Sequence, residues 1–322
     1  MGKMTKILLI IAVFAIILGS IVFICSLAAV GWDFNKLQTG NYVTNEHVLE
    51  ENFDKISIDA KTAKVKILPS EDGKNRVVSY ERLKETHKVS IEDGELKIKL
   101  VDTRKWYERL TFNFTSPKLT VYLAEAEYNS LSINISTGDV NIAYGFTFGN
   151  VKVDGSTSDV NCCASVINTL EIEVSTGEVE IERIAAGNIT VSVSTGDIDI
   201  EDVTVTGKIY AEADTGDVSL ERVNAGEVEI ETDTGNVSFK DTVVSGALFA
   251  VTDTGNVRLD RADASSINIE TDTGNVSGTL LSEKIFIPRT DTGSIRVPET
   301  VNGGICKITT DTGDIKINIV TE

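Results

Sequence analysis

The stretch Val228-Glu229-Ile230-Glu231-Thr232-Asp233-Thr234-Gly235-Asn236-Val237-Ser238-Phe239 decides the fold of this chain. Apolar residues at 228, 230, 237 and 239 alternate with polar ones, the pattern of strands with one buried face. Thr234-Gly235 interrupts the alternation and marks a turn. The same design returns at Gly138, Gly177, Gly196, Gly216, Gly255, Gly274, Gly293 and Gly313, and Ser158 fills the one gap. Successive copies lie 19 or 20 residues apart. Such a period is a structural repeat and has to be read before any single motif.

Aligned on the glycine, the repeats resolve into columns. Two residues after it stand Val140, Val160, Val179, Ile198, Val218, Val237, Val257, Val276, Ile295 and Ile315, all β-branched. Seven residues before it every copy is apolar, from Leu131 to Cys306. Each repeat therefore predicts two short strands joined by a turn, a unit that cannot bury its apolar face alone. Stacking copies buries a continuous column. The predicted fold is all-β: a parallel β-solenoid of about ten 19–20-residue rungs. A sandwich of hairpins would not keep one residue type through ten copies.

Gly138, Gly177, Gly196, Gly216, Gly235, Gly255, Gly274, Gly293 and Gly313 are thus expected to be structural turn residues, each supplying a backbone conformation that other residues resist. Six copies spell Asp-Thr-Gly, the tripeptide around the catalytic aspartate of pepsin-like proteases. Those enzymes use two aspartates from non-equivalent lobes, whereas Asp214, Asp233, Asp253, Asp272, Asp291 and Asp311 form one repeated column. No protease is expected. Parity points Ile230, Thr232 and Thr234 inward and Asp233 outward. Eight of the ten turns carry one acid in their two outward positions; Asp214/Asp217 and Asp311/Asp314 carry two. These residues suit turns that accept backbone N–H groups. The two double-acid turns are the candidates for weak calcium binding, which needs six or more oxygen ligands. No other cofactor is expected.

Ile7 to Val30 is a 24-residue run without a charge, long enough as a helix to cross a bilayer. Lys3 and Lys6 precede it, which places the N-terminus in the cytoplasm by the positive-inside rule. A cleaved signal peptide is the rival reading, but its apolar core would be shorter. The expected organisation is a cytoplasmic tail (1–6), a transmembrane anchor (7–30), a juxtamembrane linker (31–46), an N-terminal β region or cap (47–130) and the regular solenoid (131–322). Within the cap, Ile56 to Leu68 matches a degenerate rung with Thr62-Ala63 at the turn, and Asp93-Gly94 predicts a hairpin.

Beyond Val30 the chain carries 49 acidic and 28 basic residues, a net charge of −21. That excludes nucleic acid as a natural partner. It also keeps an exported β protein soluble. Of four cysteines, Cys25 lies in the apolar run, Cys162 and Cys163 are adjacent, and Cys306 stands alone; this is no disulfide framework. His47 and His87 lie outside the clear repeats and offer no metal cluster. The last strand, with Ile315, Ile317 and Ile319, has no evident cap. It is the expected edge for self-association or partner docking.

The segment Leu119 to Ile142, LTVYLAEAEYNSLSINISTGDVNI, and the recurrent TGDV/TGNV turns resemble the bacterial "putative adhesin" β-strand-repeat proteins. That family of unknown function includes LiaG-like envelope proteins. The likeness covers roughly residues 50–320. Ala124 stands where the family often has proline. The resemblance implies a repetitive β fold at the bacterial cell surface and no assigned catalytic residues. The expected function is a single-pass, membrane-anchored extracytoplasmic solenoid that binds an envelope protein or glycan and is not an enzyme. Two alternatives remain open: a regulatory envelope-stress accessory protein contacting a membrane partner, and a glycan-active β-helix enzyme.

Overall fold

The computed structural model describes residues 2–29, 31–32, 41–109 and 115–320. The chain opens with a helix, Lys3–Ala29, long and apolar enough to cross a membrane. Its Ser20 and Ser26 hydroxyls donate to the carbonyls of Ile16 and Val22, so both are satisfied within the helix. Everything else described is β structure and turns, apart from one 3₁₀ turn at Trp106–Arg109.

One rung shows how the sequence makes the coil. The long strand Thr204–Thr215 ends at the Thr-Gly turn, and the short strand Val218–Glu221 follows. A second corner at Arg222 (φ 54°) sends the chain into the next long strand, Asn224–Thr234. Long strands pair in parallel with long strands, Ile209 beside Val228 and Val228 beside Leu248. Short strands do the same, with Val218 beside Ile198 and Val237. The repeated apolar columns form one continuous core, buried everywhere except on the outermost rung, where Ile295 is exposed and Phe286 only partly covered.

The turn glycines were expected for their backbone conformation, and the structure corrects the reason: contact between rungs requires them first. A Cβ on Gly235 would lie 1.8 Å from the carbonyl oxygen of Gly216, one rung below, and one on Gly255 would lie 1.8 Å from that of Gly235. The same clash runs the length of the corner. It is 2.0 Å from Gly138 to the Ala63 oxygen, 2.1 Å from Gly177 to that of Ser158, and 1.9 Å from Gly196 to that of Gly177. At the far end it is 2.0 Å from Gly293 to the Gly313 oxygen. Rungs at strand spacing leave no room there for any side chain. A positive φ of 132–156° adds to the contact at Gly138, Gly177, Gly196, Gly216 and Gly293. Ser158 is the exception in the column, and its neighbour explains it. The inward position three residues earlier is Gly155, whose missing side chain leaves space beside the Ser158 Cβ.

A bend inside the middle long strands was not evident in the sequence. Register shifts fall there in several pairs, for example between Val205 and Lys208 opposite Ala225 and Glu227. Over the four rungs whose long strands lie between Ala185 and Thr254, the bend absorbs the irregular period. Thr204–Thr215 and Val243–Thr254 are 12-residue strands of 20-residue rungs, while Ala185–Thr195 and Asn224–Thr234 are 11-residue strands of 19-residue rungs. The extra residue is a bulge. Gly187, Gly207, Gly226 and Gly246 sit at the bend, each within 3.0 Å of an atom one rung away had it a Cβ.

Residues 55–69 form a rung, as the sequence suggested. Lys55–Thr62 pairs in parallel with Glu127–Thr137, Lys64–Pro69 pairs with Val140–Ile142, and Ala63 N–H donates to the Thr137 carbonyl at 3.2 Å. Glu95–Asp102 and Lys118–Leu123 make one more rung beneath it. Ten regular and two irregular rungs, at about 4.8 Å each, give a rod of roughly 58 Å.

The Asp93-Gly94 hairpin joins Glu85–Glu92 to Glu95–Asp102 in antiparallel register. Arg76–Arg82 lies antiparallel on Lys118–Leu123, and Tyr42–Val48 lies antiparallel on Arg76–Arg82. These strands close the N-terminal end of the stack. They also shorten the expected 31–46 linker, because Tyr42 onward belongs to the cap sheet; residues 33–40 lie outside the described part.

At the other end the stacking order departs from chain order. Gly304–Thr312 inserts between Val257–Thr273 and Lys284–Thr292, with Cys306 flanked by Ile267 and Phe286. Ile315–Ile319 likewise lies between Val276–Leu280 and Ile295–Arg296. The expectation that Ile315, Ile317 and Ile319 form the open edge is therefore corrected: Ile315 and Ile317 are core residues. The outermost described rung is Lys284–Arg296, and Gly293 turns it. Gly304 helps explain how the order is held. It pairs with Lys284, and a Cβ on it would lie 1.7 Å from the Ser265 carbonyl oxygen of the rung it stacks on; separately, the buried Lys284 ammonium reaches Asp263, 2.5 Å away, and donates to the Ser282 hydroxyl at 2.6 Å.

Candidate functional site

The Thr-Gly corner carries two ladders. Inside, the hydroxyls of Thr232, Thr252 and Thr271 donate to the turn carbonyls of Gly216, Gly235 and Gly255 at 3.1–3.2 Å. Thr310 and Thr290 continue the ladder to Gly274 and Gly313, again in spatial order. Gly138, Gly177 and Gly196 stand at the earlier, serine-bearing end of the corner, joined to the rungs above through their own N–H groups, which donate to Thr157, Thr195 and Thr215. The column of Thr232 is buried. Thr234, expected inward by parity, is exposed, because the strand has already turned at that residue.

Outside, along most of the corner, the residue after the turn holds the rung above it. Asp197 Oδ1 accepts the Asp217 N–H at 2.8 Å, Asp217 accepts the Asn236 N–H at 2.7 Å, and Asn236 accepts the Asn256 N–H at 3.0 Å. Asn256 and Asn275 also donate their side-chain amides one rung back, at 3.0 and 3.1 Å. The anticipated acceptance of backbone N–H groups thus runs between rungs. Asn275 passes the chain to Asp314, which accepts both the Ser294 N–H and its hydroxyl; those bonds hold the Asp314 carboxyl below the usual range.

This geometry bears on the calcium candidates. Asp217 and Asp314 already use an oxygen to tie rungs together, while Asp214 and Asp311 stand exposed on the other side of their turns. Among the described residues no group of three or more His, Cys, Asp or Glu side chains is placed to hold a metal ion. His87 is buried in the cap, its ring nitrogen 2.6 Å from the Glu81 carboxylate, which also accepts from Asn45 at 2.7 Å. Cys162 and Cys306 are core residues whose thiols burial pushes up to about 12.

A concentration of charge was missed at the level of sequence. It lies on the flank made by the short strands. Glu178, Glu180 and Glu182 sit on one rung, Asp197, Asp199 and Glu201 on the next, and Asp217 and Glu221 on a third. The signal was present as GEVEIE and GDIDIE, acids at every second residue after the glycine. Burial first, then the neighbouring Glu178, Asp197, Glu180 and Asp217 carboxylates, push the Asp199 carboxyl up. A hydrogen bond with Glu180, followed by burial, does the same for Glu182. A shallow groove of about 350 Å³ opens this flank toward the cap, where Lys64 bridges Asp139 at 2.5 Å.

Along the adjoining corner, Arg183, Asp202, Arg222, Asp241 and Arg261 hold left-handed conformations with φ of 50–56°. Their charges alternate rung by rung. Arg222 bridges Asp202 at 2.5 Å and also meets Glu201 and Glu221, while Arg261 bridges Asp241 at 2.6 Å. Cations thus line one margin of the acidic flank, and its centre keeps its negative charge.

A raised carboxyl opposes folding while it is ionised. Its contribution improves as pH falls through the folded value, where the native group takes up its proton first. Asp199→Asn is therefore expected to raise the melting temperature at pH 7 by roughly 2 °C. The difference should vanish near pH 3, where Asp199 is protonated in the parent protein. Thermal melts of both proteins at the two pH values check this, and an unchanged or lower melting temperature at pH 7 would count against it.

The comparisons with known proteins agree with the coil. A crystal structure named "Putative lipid binding protein" from Parabacteroides distasonis superposes with a TM-score of 0.53 at 17% identity, covering 76% of this chain and 98% of that one. A "putative adhesin" from the same organism gives a TM-score of 0.52 at 13% identity, covering 75% and 98%. At such identities these likenesses show the fold. No curated protein matches the chain. The Toastrack DUF4097 family model matches residues 53–212 and again 206–322, and the chain belongs to that family.

Proposed function

We propose that this protein is a membrane-anchored, extracytoplasmic scaffold that binds envelope molecules along the flank of its rod and catalyses no reaction. The acidic flank carries the reading: eight carboxylates lie on three successive rungs of a rigid sheet, and those of Asp199 and Glu182 are raised. Such a surface gains by meeting cationic groups, as on lysine-rich proteins or amine-bearing glycans, and repeat rods offer long faces for contacts of this kind. The apolar helix with Lys3 and Lys6 at its start supports an anchor with the rod outside. The adhesin name of a structural neighbour is consistent with this role.

The full chain in detergent, titrated with a lysine-rich peptide and with a deacetylated glycan, tests it. Binding to at least one is expected, weakening at higher salt. It should fall at least tenfold in a Glu180→Gln, Asp199→Asn, Glu201→Gln variant. Binding of neither probe, or binding indifferent to the three substitutions, would sink the proposed flank. Release of shortened glycan would overturn the non-enzymatic reading.

A further inference from the structure

The rod's two ends are not alike. The N-terminal end is closed by antiparallel strands. Among the described residues, the other ends on the rung Lys284–Arg296, which pairs on one side only. The inward column shows what this does. Val276 and Ile315 are 0% exposed, whereas Ile295, next in the same column, is 43% exposed. Phe286 and Val297 are only partly covered, and Ile287 and Val301 stand out at the same end. The cross-section of the core thus faces solvent here.

The neighbouring features narrow what can cover it. Pro288 lies mid-strand and has no N–H to offer, so an added strand would lose pairing at its centre. The contact is therefore made by side chains against the end face. Within the rod, the surface that fits onto such a rung is another rung of equal cross-section. Charge points the same way. Residues 127–283 carry 28 acidic and 7 basic side chains, a net charge of −21, whereas residues 284–320 carry 4 and 5. Two rods repel flank to flank but meet without that penalty end to end. The capped opposite end offers no matching face, which disfavours a head-to-tail filament and leaves a closed two-fold pair.

We propose that the Lys284–Arg296 rung is a self-association face on which a second copy of this chain docks end to end. The proposal does not rest on the acidic flank or on what that flank binds. Light scattering of the full chain in detergent between about 1 and 100 μM tests it, a range spanning modest protein–protein affinities. A dimer is expected. Ile287→Lys combined with Ile295→Lys should weaken it at least tenfold with an unchanged circular dichroism spectrum, while Leu83→Lys at the capped end should leave it intact. In a chain with Cys25 and Cys163 replaced by serine and otherwise unchanged, Val301→Cys should crosslink between copies with a short bis-maleimide and Val48→Cys should not; this arm stands even if the lysine variant folds poorly. A monomer throughout the range overturns the proposal in favour of a foreign occupant. A dimer that survives the double substitution, or crosslinks only through Val48→Cys, overturns it as well.

Discussion

Replacing Gly235 by alanine is expected to destabilise the protein by about 3 kcal/mol or more, and replacing it by valine is expected to prevent folding. The new Cβ would be placed 1.8 Å from the Gly216 carbonyl oxygen, a backbone atom held by the pairing of the rung below. Neither partner can retreat alone. The Gly216 N–H donates to the Thr234 carbonyl at 3.0 Å, and the Thr232 hydroxyl donates to that same Gly216 carbonyl at 3.2 Å. Opening the gap would stretch both ladders. Gly73 is the informative control, because it has a left-handed φ of 70° but nothing within 4 Å of a built Cβ. Gly73→Ala should cost only about 1 kcal/mol, the strain of the conformation itself. Thermal melts and the soluble yield of the three variants make the comparison. Equal losses at Gly235 and Gly73 would show that conformation, and not contact between rungs, sets the glycine column.

The second large effect is all-or-none. In a chain freed of Cys25 and Cys163 by serine, the pair Asn268→Cys and Lys307→Cys should oxidise to a disulfide almost completely. The pair Asn268→Cys and Ile287→Cys should not form one. Asn268 and Lys307 are register partners on adjacent parallel strands, within the Cα separation a disulfide spans. Ile287 is the partner of Lys307 on its far side, one strand further from Asn268. If the rungs stacked in chain order, the two outcomes would exchange. Non-reducing electrophoresis reads the result directly, and dominant Asn268–Ile287 linkage would refute the inserted rung.

The coil itself was legible because stacking makes every rung repeat the same demand. A column such as Val218, Val237 and Val257 survives only if each residue meets its counterpart above and below. The order of the final rungs was not legible for the same reason. Ile295 and Ile315, Phe286 and Cys306, Thr290 and Thr310, and Gly293 and Gly313 fill equivalent places, so either order satisfies the columns. Local details favour the observed order: the missing side chain at Gly304 and the reach of Lys284 to Asp263.

The corners and the flank show a similar division. Glycine announced the Thr-Gly turn, but the corner at Arg183, Asp202, Arg222, Asp241 and Arg261 uses charged residues in a glycine-like conformation. Its signal was a charge six residues after the turn glycine in five consecutive rungs. The bend glycines at 187, 207, 226 and 246 follow the turn glycine by ten or eleven residues, hidden by the bulge that shifts them. The acidic flank escaped because it is read across rungs. Each rung alone shows only an ordinary solvated strand face, and the field of the patch belongs to the stack.

The inserted rung also bears on how the molecule is finished. A chain that emerges N-terminus first presents Lys284–Arg296 to the growing stack before Gly304–Ile319 has appeared. Those earlier residues carry the motif to settle on Val257–Leu280 at once, yet their final place is one layer further out. The later segment must therefore come to lie beneath residues made before it. Along most of the rod chain order and stacking order coincide, whereas at the tip they do not, so the final layers cannot be placed by successive addition in chain order alone.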